Sequence, residues 1–234
     1  MASHLTGLKL VPQRPRILAC RQIEQVDAQL ARALGLDPEQ HVSAGLVTCD
    51  QDDALYAALD HCTKYAEVDV VYAKSFYAGA AHASGPLSGE ILGVIAGPTP
   101  DDVAEGLWAL REALVSSICF YQAEGTSGPA FFPHVISETG RYLAPLAGIQ
   151  PGEPLAYLIA PPIESVVGLD AALKVAPLRM CKWFGPPSET NFGGAYLTGT
   201  LNDLQAGARA FAEAIQSVVA APSAGLRRPT RERF

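Results

Sequence analysis

Three carboxylates in this chain are candidates for holding a cation. Asp52 and Asp53 open a helical stretch, and Glu90 opens a strand. Aspartates at a helix start are ordinarily explained by capping and by the macrodipole. A second copy of the same text lacks them, with Pro161-Pro162 near the aspartates' place and Gly194 at that of Glu90. The fold then does not demand the acids, and their one-sided presence points to cation binding through charge-assisted hydrogen bonds. A divalent ion could be attracted nonspecifically, but no resident metal or cofactor is expected. Motifs of the form G-x-S-x-G, H-E-x-x-H, G-x-x-x-x-G-K-[ST] and G-x-G-x-x-G do not occur. His82 and His134 lack a spaced nucleophile or second acid, so loop or core histidines are expected rather than catalytic ones, and the chain is not expected to be an enzyme.

The second chemical signal is a repeated pair. Asp60-His-Cys-Thr-Lys64-Tyr-Ala66 and Asp170-Ala-Ala-Leu-Lys174-Val-Ala176 both read D-x-x-x-K-x-A. At i,i+4 on a helix, each pair could be an exposed ion pair worth a few tenths of a kcal/mol. That explains one copy better than two. Both copies keep the lysine before the helix's last turn, as a residue reaching a neighbour's backbone carbonyls would be kept.

The elements that position these residues alternate in one order, twice. In the first copy, strands are predicted at 16–22, 44–48, 68–72 and 90–96, with helices at 27–34, 53–66 and 101–115. In the second copy, strands are predicted at 131–136, 155–160, 178–184 and 194–198, with helices at 139–147, 165–176 and 202–219. Gly35-Leu-Asp-Pro38 matches Gly148-Ile-Gln-Pro151, and Gly89 matches Gly193. Repetition on this scale means two similar α/β domains, each a sheet covered by helices. The domains are expected at 16–118 and 130–220, after an extension at 1–15. Residues 119–129 read as a linker. The tail at 221–234, with Arg227, Arg228, Arg231 and Arg233, is expected to be disordered.

Composition bounds the rest. Of 234 residues, 49% are hydrophobic and 18% charged, an apolar balance that fits surface buried against partner subunits. A net charge of −7 argues against binding nucleic acid. No apolar run approaches the length of a membrane span, so no membrane role is expected. The five cysteines form no C-x-x-C and read as reduced thiols of a cytosolic protein.

The helix text A-x-x-A-x-D-x-x-x-K-x-A with its following β-branched strand resembles the bacterial microcompartment shell domain. Tyr77-Ala-Gly-Ala-Ala-His82, Pro186-Pro-Ser-Glu-Thr-Asn191, Ala156-Tyr-Leu-Ile-Ala-Pro-Pro162 and Gly168-Leu-Asp-Ala-Ala-Leu-Lys174 resemble the L-type shell proteins of ethanolamine-utilisation compartments. The likeness runs from about Arg16 to Val219. It implies an α/β (α+β) fold of two tandem, circularly permuted shell domains. Three chains would form a pseudo-hexameric tile that meets other shell proteins edge to edge, in the shell of a cytoplasmic microcompartment. Lys64 and Lys174 would lie on tile edges. A gated central pore would be lined by Tyr77, Gly79, Ala80 and His82 in one loop and by Ser188, Glu189, Thr190 and Asn191 in the other. Asp52, Asp53 and Glu90, with Phe120 beside them, would line a smaller pore within each subunit that accepts an amino alcohol such as ethanolamine. A soluble tandem-domain sensor built around the acids is the alternative.

Overall fold

The computed structural model describes residues 3–76, 85–125, 128–186, 188 and 190–224. The first copy comprises β2 (Ile17–Ile23), α1 (Ala28–Leu34), β3 (Ser43–Cys49), α2 (Asp52–Cys62), β4 (Asp69–Ser75), β5 (Ile91–Gly97) and α3 (Pro100–Ser116). The second repeats this order as β7 (Phe132–Ile136), α4 (Leu143–Ala147), β8 (Leu155–Ala160), α5 (Pro162–Val175), β9 (Arg179–Phe184), β10 (Gly193–Thr198) and α6 (Leu201–Ala220). The antiparallel sheets run β2-β3-β5-β4 and β7-β8-β10-β9, the same topology twice.

Local chemistry repeats with the topology. Thr99 and Thr200 cap α3 and α6, each hydroxyl accepting from the backbone N–H three residues on, Asp102 or Asp203, at 3.2 Å. Gly35 and Gly148 end α1 and α4 with φ of 80° and 64°, and their N–H groups return to the carbonyls of the last turn.

Side chains alternate across each sheet. Val47 and Cys49 of β3 face α2 and α3, whereas Ala44 and Leu46 face α1. In β8, Ala156 and Leu158 pack beneath α5 and α6, whereas Leu155, Tyr157 and Ile159 join the core of α2. The apolar face of α2 thus covers its own sheet and the open face of the second one, and a single core crosses the boundary between the copies.

Four differences from the sequence reading have physical causes. The 119–129 segment is not only a linker: β6 (Phe120–Ala123) pairs with β1 (Leu10–Gln13) of the N-terminal extension, Leu10 opposite Ala123. That ribbon leads to a 3-10 turn at Ser3–Leu5, whose Leu5 is fully buried in the second copy's core. α4 starts at Leu143 rather than Thr139, because the Gly140 and Arg141 N–H groups bond to side chains of the first copy. α2 stops at Cys62, because the Arg141 guanidinium takes the carbonyls of Thr63 at 2.6 Å and Val68 at 2.8 Å. Of the tail, residues 221–224 are described and 225–234 lie outside the described residues.

Candidate functional site

A cavity of about 210 Å³ lies where the N-terminus of α2 meets the open face of the second sheet. Asp52 and Asp53 occupy the first turn of α2 and are each only 6% exposed. The second copy supplies Tyr157 and Tyr196 to the walls, and Thr190 and Phe192 close one end. Gln51 caps α2 without a side-chain bond. Glu90 does the capping instead, its carboxylate accepting from the Asp52 N–H. Gly89, at φ 62°, turns the chain into that position; a Cβ there would stand 2.1 Å from the Cys49 carbonyl oxygen.

The acids are tightly held. Asp52 Oδ1 accepts from the Asp53 N–H at 2.9 Å, and Asp52 Oδ2 faces the Thr190 hydroxyl at 3.5 Å. Asp53 accepts from the Tyr157 hydroxyl. Burial raises the pKa of Asp52 and raises that of Asp53 much further, with Asp52 adding repulsion. Burial, then the charges of Asp52 and Asp50, push Glu90 up to about 7. Among the described residues, no Lys, Arg or His lies within ion-pair distance of Asp52, Asp53 or Glu90. Three neighbouring carboxyls with no ion-pair partner have the chemistry to attract a cation. The surrounding hydroxyls of Tyr56, Tyr157 and Thr190 could bond a second, neutral polar group.

Phe120 stands one ring behind this wall, 5.0 Å from Phe132 and 5.9 Å from Phe192 between ring centroids. Of the candidate loop residues, Tyr77, Gly79, Ala80, His82 and Glu189 lie outside the described residues. Ser188, Thr190 and Asn191 form a tight turn: the Ser188 hydroxyl accepts from the Phe192 N–H at 3.1 Å, and Asn191 takes φ 63°. His134 is no part of the acid site; it stacks on Phe132, and burial pushes its pKa down to about 3.

The repeated D-x-x-x-K pairs diverge. Asp60 is fully buried and accepts from the N–H groups of Gly140 at 2.6 Å and Leu143 at 2.7 Å. Lys64 does not close on Asp60; its Nζ donates to the Glu138 carbonyl oxygen at 2.8 Å, across the seam between copies. Lys174 pairs with Asp170 at 2.6 Å on an exposed surface.

No protein-family model matches the chain. A curated relative, the bacterial microcompartment shell protein EutL of Clostridium perfringens (strain 13 / Type A), is 49% identical over 209 residues, 89% of this chain and 96% of that protein. The chain belongs to the EutL family of bacterial microcompartment shell proteins. The crystal structure of ethanolamine utilization protein EutL from Leptotrichia buccalis C-1013-b superposes with a TM-score of 0.88 at 48% identity, covering 92% of this chain and 99% of that one. A monoclinic EutL crystal structure from Clostridium perfringens gives 0.89 at 47%, covering 94% and 100%. The chain is therefore a structural component of a microcompartment shell, which it builds with other shell proteins, and it is not an enzyme. Membership also removes the sensor alternative. No described helix is long and apolar enough to cross a membrane.

Sequence reasoning missed the tyrosines. Tyr157 pairs across the ladder with His134, as Leu46 pairs with Arg21 in the first copy. A polar ring in one copy against an aliphatic residue in the other is the same one-sided signal that marked the acids. The ladders correct part of that argument: Gly194 pairs with Ile159 as Leu92 pairs with Thr48, so Gly194 holds the place of Leu92 rather than that of Glu90. Glu90 instead answers to Phe192, as Gly89 at φ 62° answers to Asn191 at φ 63°.

Proposed function

We infer that three chains assemble into a pseudo-hexameric tile, and that each subunit's acid pocket admits a small amino-alcohol cation such as ethanolamine. For the pocket, the supporting observation is the pair Asp52 and Asp53 in its wall with Glu90 adjoining, none of them within ion-pair distance of a described Lys, Arg or His, although Lys182 lines the same cavity. An ammonium group would bond to the carboxylates while the alcohol bonds to a tyrosine or threonine hydroxyl. The relatives' link to ethanolamine utilisation agrees with that chemistry.

The seam within the chain supports the trimer. There, α2 presents Tyr56, Ala57 and Asp60 to the second sheet. The register-equivalent face of α5 presents Ile163, Val166, Val167 and Asp170 to solvent, the three apolar ones 67%, 53% and 42% exposed. The first sheet's matching face, at Leu46 and Leu92, is half-buried. One chain's α5 would cover the next chain's first sheet, repeating the internal seam and closing a threefold ring. Residues 16–118 and 130–220 are the two tile domains in this reading. Lys64 and Lys174 rim the outer ends of the seams, at tile edges. The loops around 77–88 and 185–193 surround the threefold axis and gate the central pore.

Calorimetric titration with ethanolamine of the native protein and of the Asp53→Asn/Glu90→Gln variant tests the pocket. Binding that weakens at least about tenfold in the variant is expected, from losing two charge-assisted bonds. Equal affinities, or no heat with either protein, would sink the assignment.

A further inference from the structure

The two copies treat one groove differently. In the second copy, the groove between β7 and α6 is filled by the N-terminal turn. His4 contacts the Pro133 carbonyl oxygen at 3.3 Å, and Arg209 donates to the His4 and Thr6 carbonyl oxygens at 3.3 and 2.9 Å. Leu5 is buried there against Ala208 and Ala212 of α6. Matching the capping threonines aligns Trp108 with Arg209 and Leu107 with Ala208; matching the ladders aligns Cys20 with Pro133. The equivalent groove of the first copy, between β2 and α3, is open. It has a volume of about 470 Å³ and is lined by Ile17, Cys20, Leu107 and Trp108, with Trp108 61% exposed.

The tile reading places a specific segment beside this groove. Inside the chain, the end of α3 at Ser116 and Ser117 shares a cavity with Pro133 and Val135 of β7. By the same alignment, the end of a neighbouring subunit's α6 reaches Cys20 and Gln22 of β2. The chain beyond α6 then emerges at the open groove. It carries Leu226 and Phe234, which could enter the apolar floor, and Arg227, Arg228, Arg231 and Arg233. Glu105 and Glu112 are exposed one helical turn to either side of Trp108 on α3, with Asp101 a further turn away. Arg111 lies over the Trp108 ring at 5.9 Å as the groove's one basic wall residue among the described ones. Asp101, Glu105 and Glu112 lie beside the groove rather than in its wall, where they outnumber Arg111 and the Arg21 that also faces Cys20, and arginine also stacks on indole.

We propose that residues 225–234 of one subunit strap into the β2–α3 groove of the next, with apolar side chains beside Trp108 and arginines on Glu105 and Glu112. The strap rests on the trimeric reading. It does for the first copy what the N-terminal turn does for the second, but between chains.

The test uses Trp183→Phe protein, in which Trp108 is the remaining tryptophan, with and without residues 225–234. Acrylamide quenching of Trp108 is read alongside sedimentation. Truncation should leave a trimer and raise the quenching constant about twofold, as a buried ring becomes exposed. A synthetic 222–234 peptide should reverse the rise. Glu105→Lys/Glu112→Lys in the untruncated chain should raise quenching similarly and weaken the peptide about tenfold. A truncated trimer with unchanged quenching overturns the strap and leaves the tile reading standing. An untruncated chain that sediments as a monomer overturns the tile reading itself. Protection of Trp108 by the tail within such a monomer overturns the strap between subunits.

Discussion

Helices α2 and α5 carry the same D-x-x-x-K-x-A text and live in different surroundings. Asp60 is sealed into a seam where it caps the approach to α4, and Lys64 reaches across to a carbonyl. Asp170 and Lys174 have only each other, at the surface. Sequence identity at these positions therefore does not record their present contacts. In the tile reading it records a common type of seam, made once inside the chain and once more between chains.

The largest expected effect comes from breaking the internal seam. Asp60→Ala leaves the buried N–H groups of Gly140 and Leu143 without their acceptor and should cost about 3 kcal/mol in urea unfolding. Asp170→Ala should cost about 0.5 kcal/mol or less in the isolated chain, yet shift sedimentation from near 74 kDa, three times 24.7 kDa, toward the monomer. Equal unfolding costs, with no change in assembly for Asp170→Ala, would break the comparison.

A second test sharpens the difference at the acids. Glu90 has a folded pKa of about 7 against 4.5 in an open chain. The folded state therefore holds this proton more tightly than the unfolded one. Glu90's contribution to stability is fully present below about 4.5 and is lost as pH rises through about 7. Glu90→Gln removes the ionisation and still accepts from Asp52. Its urea midpoint should fall less across that window than the native protein's; parallel falls would mean the charge carries no penalty. Smallest of all, Lys64→Ala should cost about 1 kcal/mol for its carbonyl bond. Lys174→Ala should cost a few tenths, the value of an exposed i,i+4 pair. Together the two replacements should leave the trimer intact and abolish sheets seen by electron microscopy.

Helix and strand order and both glycine caps were legible because each is a local preference written twice. Asp60's burial was not, because its partners Gly140 and Leu143 lie some eighty residues away and use only backbone. The β1–β6 ribbon escaped for a related reason: four-residue strands have little periodicity, and a proline within β1 reads as loop. Asp52 and Asp53 were legible through their absence from the second copy. Tyr157 was open to the same comparison, but an aromatic residue in a buried strand looks like ordinary core.

Leu5 is made well before α6, the helix against which it is buried. During translation its apolar side chain must wait until α6 has left the ribosome. The first copy can fold meanwhile, since its core and caps lie upstream. The second cannot close its groove until both Leu5 and α6 are available. A ribosome that stops short of α6 therefore releases a product with Leu5 still uncovered, a mark by which quality control could tell a chain lacking α6 from one that carries it.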